Sequence, residues 1–274
     1  MLRADNSSEV AALNDSLSLI DNQLGKDKFL VEHAVILAAG KGERFQEKGV
    51  KLPKVLLKVG GLRLLERAVL GLNKAGVKHI YITVGAYREQ IVEIMSQMES
   101  LQDIDVQFVV CENYYEGNGV SFGAGASKIE APFFLTMSDH IFSTDTLKNF
   151  VADVKANQEL PSLACDANLP EVFDMDDATK VLSKDQKIHD IGKQIPQYDL
   201  VDMGLFYFPK GYGQRIAQKV NDGAKSVSDI INQLIAEKGV RTAVIPNACW
   251  QDVDNPSMKQ EAEKRLAAWK IMEK

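Results

Sequence analysis

The sequence predicts an α/β protein with a mostly parallel central sheet and helices on both faces, and three observations carry that reading. Short, continuously apolar runs recur, the first being Ala34-Val35-Ile36-Leu37-Ala38-Ala39; strands buried on both faces have this composition. Segments with apolar residues at helical spacing separate those runs. The first run also ends on a glycine, Gly40, the mark of a strand entering a turn. Strands alternating with helices imply right-handed crossovers, and ligands of such sheets collect at the carboxyl ends of the strands.

Taken in order, residues 1–30 read as a separate helical extension. Leu13, Leu17, Ile20 and Leu24 recur at helical spacing before Gly25-Lys26-Asp27-Lys28 breaks the pattern. Such a helix can pack back on the domain, pair two subunits into a homodimer or stand as an exposed arm. The main domain is expected over residues 31–256. After its first strand, Leu64, Leu65, Ala68, Val69 and Leu72 mark a helix. Ile80-Tyr81-Ile82-Thr83-Val84 is a second buried strand, with a helix from Arg88 to Met98 behind it. Val106 to Val110 is a third strand, Ser121 to Ile129 a helix and Phe133 to Met137 a fourth strand. The loops after Ala39, Val84, Val110 and Met137 are therefore where a ligand should sit. From Leu163 to Val244 the strands are shorter, Asp is commoner and periodicity weakens, as expected of a sheet extension that closes over a second ligand. A C-terminal helix is expected over 257–274.

Bulk properties narrow the class. With 274 residues, 45% hydrophobic and 26% charged, the chain can bury one large core. Thirty-two Lys+Arg against 38 Asp+Glu leave a formal charge of −6, which repels polyanions and argues against a nucleic-acid partner. Cys111, Cys165 and Cys249 lie far apart, outside any C-x-x-C pattern, and are expected to be reduced thiols. Met1 to Asn22 carries acidic residues and no long apolar run, and no segment approaches the roughly 20 apolar residues that span a bilayer. A cytoplasmic chain without membrane insertion is the expectation.

The loop after the first strand holds the strongest signal: Leu37-Ala38-Ala39-Gly40-Lys41-Gly42-Glu43-Arg44-Phe45, followed by Leu52-Pro53-Lys54. Glycines let the backbone approach a phosphate and point N–H groups at its oxygens. Lys41, Arg44 and Lys54 add positive charge around the same anion. A dinucleotide-binding G-x-G-x-x-G needs a third glycine where Phe45 stands, and the P-loop spacing is absent. The string L-A-A-G-x-G-x-R with its downstream P-K instead resembles the signature of nucleotidyltransferases that activate sugar 1-phosphates and related alcohol phosphates.

Further strings run along the domain: Glu116-Gly117-Asn118-Gly119-Val120-Ser121, Thr136-Met137-Ser138-Asp139-His140, Ala178-Thr179-Lys180, Ile191-Gly192-Lys193, Val201-Asp202-Met203-Gly204 and Trp250-Gln251-Asp252-Val253-Asp254. In this order they resemble the CTP:inositol-1-phosphate cytidylyltransferase family over about residues 33–256. The likeness is to the soluble half of that family's bifunctional enzymes; no counterpart of their membrane-embedded synthase half is expected here. The resemblance implies a Rossmann-like nucleotidyltransferase fold, CTP and a phosphorylated alcohol as substrates, and Mg²⁺ as cofactor. Inositol 1-phosphate is the acceptor of first choice, with a sugar 1-phosphate, phosphocholine or an amino-acid-derived phosphate as the alternative.

Two polyanions must meet in such a reaction, so charge neutralisation and alignment are the needs. Asp139 stands at the carboxyl end of a strand, as a Mg²⁺ ligand would. Asp252 and Asp254 are two apart and so face one way on an extended strand; Asp254 is favoured as the second metal carboxylate. Leu37 to Gly42 with Asn118, Gly119 and Ser121 are expected around the nucleotide, where a glycine-lined slot suits a pyrimidine. Lys41, Arg44 and Lys54 are expected on the triphosphate, Lys180 and Lys193 on the acceptor phosphate, and Asp202 on acceptor hydroxyls. Arg44, Lys54 and Lys180 are the expected catalytic cations. His140 is expected to pack beside the metal, because Mg²⁺ prefers oxygen. A nucleotide-sensing or scaffold protein that keeps the fold without the reaction is the rival class, and retention of the metal carboxylates and the P-K lysine favours the enzyme.

Overall fold

A computed structural model describes residues 31–272, so the helix expected in residues 1–30 lies outside the described residues. Strand and helix alternate through the first half: β1 (His33–Ala38), the short helix α1 (Glu43–Gln46), the hairpin β2 (Lys58–Val59) and β3 (Leu62–Arg63), α2 (Leu64–Lys74), β4 (His79–Val84), α3 (Arg88–Ser96), β5 (Asp105–Val110), α4 (Asn118–Ala126) and β6 (Phe133–Met137). The second half contains β7 (His140–Phe142), α5 (Thr144–Ala156), β8 (Ser162–Asp166), β9 (Lys180–Lys184), β10 (Lys187–Gly192), β11 (Leu200–Phe208), α6 (Tyr212–Asn221), α7 (Val227–Glu237), β12 (Arg241–Val244), β13 (Trp250–Asp252) and α8 (Pro256–Met272). From Val31 on, the chain makes a single packed unit.

Nine strands form the main sheet in the order β5-β4-β1-β6-β11-β8-β12-β10-β9. The predicted parallel arrangement is the β5-β4-β1-β6 half. Beyond it, β11 runs antiparallel to both β6 and β8, and only β8 and β12 pair in parallel. The connections explain the difference. Residues Asp185 and Gln186, both at positive φ, turn β9 straight into β10, and so tight a hairpin can only join antiparallel strands.

Helices cover both faces. α4 lies on β1 and β4 with α6 and α7 beside it, whereas α2 and α5 lie on the other side. A Cβ on Gly125 of α4 would come within 2.7 Å of Val35 and 2.8 Å of Thr83, so only glycine lets this helix rest directly on the sheet. Ser143 caps α5 by accepting the Thr146 N–H at 3.2 Å, as its place ahead of a helical pattern suggests. Ser226 and Asp229 form a capping box at the start of α7.

A second cluster sits apart from the main core. Phe45, Val59, Leu64, Ile141, Val253, Ala262, Leu266 and Trp269 pack together, which fastens α8 to the base of the glycine loop. Phe45, the residue that breaks the dinucleotide motif, is thus a buried anchor at 2% exposure. Below this cluster β7 and β13 pair antiparallel, with His140 opposite Asp252.

Candidate active site

The loops after β1, β5 and β6 converge on a cleft of about 360 Å³. Leu37, Ala38, Ala39, Gly40 and Gly42 line one side of it, Asn118 and Ser121 another. Asp139, Asp252 and Asp254 line it as well, as do Lys193 and Asp202. Gly42 holds a left-handed φ of 66°, and a Cβ there would lie 2.7 Å from that of Lys54, so glycine alone lets the loop turn tightly over this lysine. Lys41 and Arg44 lie in an adjoining open mouth of about 380 Å³, shared with Tyr114 and Tyr115. Gly119 does not face the cleft. Its N–H donates to the Lys225 carbonyl at 2.9 Å, and a side chain there would strike the backbone of Ser226. Asn118 helps the same junction by accepting the Val227 N–H at 3.0 Å.

Lys54 is the centre of the charge arrangement. Its ammonium lies 2.5 Å from Asp139 Oδ2 and 2.6 Å from Asp254 Oδ1. Burial works against that charge, but the two carboxylates more than offset it and hold the ammonium well above the usual lysine range. Asp139 responds in the opposite sense: despite burial, Lys54 and His140 hold it well below the ordinary carboxylate range. His140 donates from Nδ1 to Asp139 Oδ1 at 2.8 Å. Burial would lower its pKa, but Asp139, with Asp252 and Asp202 nearby, pushes it up to about 9. The imidazole is also stacked on Trp250 at 6.1 Å between centroids, and the indole N–H donates to buried Asp166 at 2.8 Å. Asp252 sits near these charges and is raised, chiefly by burial.

Residues of this set suit a hard divalent cation. Asp139 and Asp254 converge from two sides on one positive charge, and Mg²⁺ takes a few carboxylates with phosphate oxygens and water. Among the described residues no group of three His, Cys, Asp or Glu side chains is arranged to enclose a metal without such help.

Among the residues expected at the acceptor, Lys180 departs from expectation. Its side chain is buried at 9% exposure and does not line the cleft. The ammonium donates to the carbonyls of Met175 at 2.7 Å, Ala178 at 3.2 Å and Lys193 at 2.9 Å. All three protons are thereby used, so the expected contact with an acceptor phosphate is corrected to a clip that ties the β8–β9 connection to the turn after β10. Lys193 does face the cleft, where it pairs with Asp177 at 2.5 Å. Asp202 accepts the Gly204 N–H at 2.6 Å, and burial pushes its carboxyl up to about 6.

Asp174, Asp177 and Tyr114 are cleft residues that sequence reasoning did not pick out, and Trp250 stood in one of its strings without a role. Asp177 joins Arg44 to Lys193; the Asp174-Met175-Asp176-Asp177 run just before Ala178-Thr179-Lys180 was its only signal. Tyr114 lies flat against Gly85, where any Cβ would be 2.5 Å from the ring. Arg44 reaches Asp254 as well, at 3.3 Å. Cys111 and Cys165 are buried free thiols, and Cys249 is a partly covered one. No helix among the described residues is long and apolar enough to cross a membrane.

Comparison with known proteins fits this geometry. The MobA-like NTP transferase domain family matches residues 34–191. A bifunctional IPC transferase and DIPP synthase of Thermococcus kodakarensis is 29% identical over 237 residues, covering 86% of this chain and 50% of that protein. The chain thus spans about half the length of the curated relatives it first matches. A 2-aminoethylphosphonate cytidylyltransferase of Lancefieldella rimae is 28% identical, covering 75% of this chain and 81% of that one. Among solved structures, the inositol-1-phosphate CTP transferase from T. maritima superposes with a TM-score of 0.75 at 23% identity, covering 86% of this chain and 95% of that one, and so shares the fold.

Proposed function

Because the chain belongs to the MobA-like NTP transferase domain family, we propose that it transfers the cytidylyl group of CTP to a phosphorylated polyol, inositol 1-phosphate first among them, and releases pyrophosphate. The observation that carries this reading is the Lys54 ammonium held between Asp139 and Asp254 beneath the glycine loop. The choice of CTP and of the acceptor is supported by the names of the Thermococcus relative and the T. maritima structure.

An acceptor phosphate oxygen attacks the α-phosphorus of CTP, the new P–O bond forms, and the bond to pyrophosphate breaks. No covalent intermediate on the protein is needed. The backbone from Leu37 to Gly42 cradles the triphosphate, and Asn118 and Ser121 meet the base and ribose. Lys41 and Arg44, at the open mouth, hold the β- and γ-phosphates, which leave together as pyrophosphate. Asp139 and Asp254, with Asp252 near them, would hold Mg²⁺, which would neutralise phosphate charge when bound. Lys54 adds a fixed positive charge at the reacting centre, and His140 and Trp250 keep Asp139 oriented. Lys193 receives the acceptor phosphate and Asp202 an acceptor hydroxyl, both being residues that line the cleft. Both substrates are water-soluble anions, in keeping with a cytoplasmic site of action.

A second reading has its own support. Asp174 and Asp177 line the cleft, and their carboxylates would suit an amine-bearing acceptor such as the 2-aminoethylphosphonate named for the Lancefieldella relative. Pyrophosphate release across four triphosphates, with inositol 1-phosphate, 2-aminoethylphosphonate, phosphocholine and a sugar 1-phosphate, decides between them. CTP with inositol 1-phosphate should be fastest. Equal turnover with ATP or GTP would defeat the cytidylyl assignment, and a faster second acceptor would replace the first.

A further inference from the structure

Asp177 stands outside every motif that marks the cleft, yet its carboxylate ties together cations assigned above to different substrates. Oδ2 lies 2.7 Å from Arg44 and Oδ1 lies 2.5 Å from Lys193. Arg44 stands in α1, directly after the glycine loop, and Lys193 in the turn after β10, so one side chain joins cations from two elements far apart in the chain. All three side chains keep contact with solvent, at 48%, 28% and 53% exposure for Arg44, Asp177 and Lys193. The backbone around Asp177 is held differently. Buried Lys180 takes the carbonyls of Met175 and Ala178, on either side of Asp177, and that of Lys193 as well. A fixed backbone thus carries a carboxylate that can rotate.

We propose that Asp177 is an internal stand-in for substrate phosphate and that its displacement couples the binding of the nucleotide to that of the phosphorylated acceptor. The inference rests on the reading of Arg44 as a triphosphate contact and Lys193 as an acceptor contact. A carboxylate presents two oxygens of one anion to two cations, as a phosphate does. A phosphate arriving at either cation meets like charge at hydrogen-bonding distance and drives the carboxylate off. With Met175 and Ala178 clipped by Lys180, the departure is a side-chain rotation that releases Arg44 and Lys193 together. The first substrate to bind bears the cost of that release, and the second finds its cation already parted from Asp177. Positive coupling results, and linkage makes it equal in both directions.

Calorimetric titration of the full chain with α,β-methylene-CTP and Mg²⁺, with and without saturating inositol 1-phosphate, tests this. Wild type should bind the analogue roughly fivefold more tightly when the acceptor is present, at the low end of site coupling because the ion pairs are partly solvated. Asp177→Asn and Asp177→Ala should bind the analogue alone roughly fivefold more tightly than wild type, and the acceptor should then add nothing. A merely structural role for Asp177 would weaken binding and leave no reason for coupling to vanish. Wild type that binds both ligands without coupling overturns the inference and spares the function proposed above. So do variants that keep the wild-type coupling or bind the analogue no better. Failure of wild type to bind the analogue at all overturns both. If the analogue binds and the acceptor does not, only the acceptor assignment falls, and the tighter binding of the two variants still decides the role of Asp177.

Discussion

Removing a carboxylate that steadies charge at a reacting phosphate commonly lowers turnover by about 10²–10³. Asp139→Asn should do so while the protein stays folded, because Lys54 keeps Asp254 as a partner. Asp254→Ala should cost more than Asp252→Ala, since Asp254 shares the Lys54 ammonium and Asp252 does not; steady-state pyrophosphate release measures both, and the reverse order would exchange their roles. Asp202 leads to a prediction about pH. Its folded carboxyl titrates at about 6, whereas the unfolded chain's titrates near pH 3.9. Between those values the folded state holds the extra proton, so this contribution to stability is complete below pH ~4 and is lost as the pH rises through about 6. Asp202→Asn keeps an oxygen for the Gly204 N–H and removes the titration, so it should stabilise the protein at pH 7.5 by about 1–2 kcal/mol, after allowing for its edge on the cleft. Urea unfolding at pH 4.5 and 7.5 reads this directly, and an unchanged slope would mean that Asp202 is charged throughout. Lys180→Met should lower the melting temperature, because three part-buried carbonyls lose their donor, at about 1–3 kcal/mol in all. An unaltered melt would show that the clip is dispensable.

Among the elements, α4 holds the nucleotide side of the cleft in place through glycine contacts rather than helix propensity. Gly125→Val would force the helix off Val35 and Thr83, at an overpacking cost of about 1–3 kcal/mol, and would move Asn118 and Ser121 with it. The nucleotide KM should rise with little change at the acceptor side, and an unchanged KM would mean that α4 adjusts without moving the slot. The strands around α4 were legible because each is an apolar run of five or six residues. α4 itself starts at Asn118, three residues before the periodicity shows, since the glycines there carry no hydrophobic signal. β11 was seen only as the Val201-Asp202-Met203-Gly204 string, although it runs from Leu200 to Phe208 with eight of its nine residues buried. Asp202 and Gly204, beside the irregular register against β8, interrupt the apolar run that would have announced it. The carboxylates of the site could be found from their strings; the partners of Lys180 could not, because backbone carbonyls leave no trace in residue type.

For the whole molecule, every residue given a role at the cleft lies between Leu37 and Asp254. Deleting residues 1–30 should therefore leave kcat unchanged, and a loss on the order of tenfold, about 1.4 kcal/mol of barrier, would bring that segment into the site. Lys54 meets carboxylates 85 and 200 residues further along the chain, the second of them delivered by the β13 strand that zips onto β7. During synthesis the parallel half of the sheet can assemble while the ribosome is still translating α6, but at that moment the lysine has only one of its two counter-ions. Asp254 joins Lys54 only once β13 and α8 have been made, because α8 packs on Phe45 in the same cluster that holds Val253, next to Asp254. A stop after β12 would remove Asp252 and Asp254 together with the helix that covers Phe45, and pyrophosphate release should be lost with them.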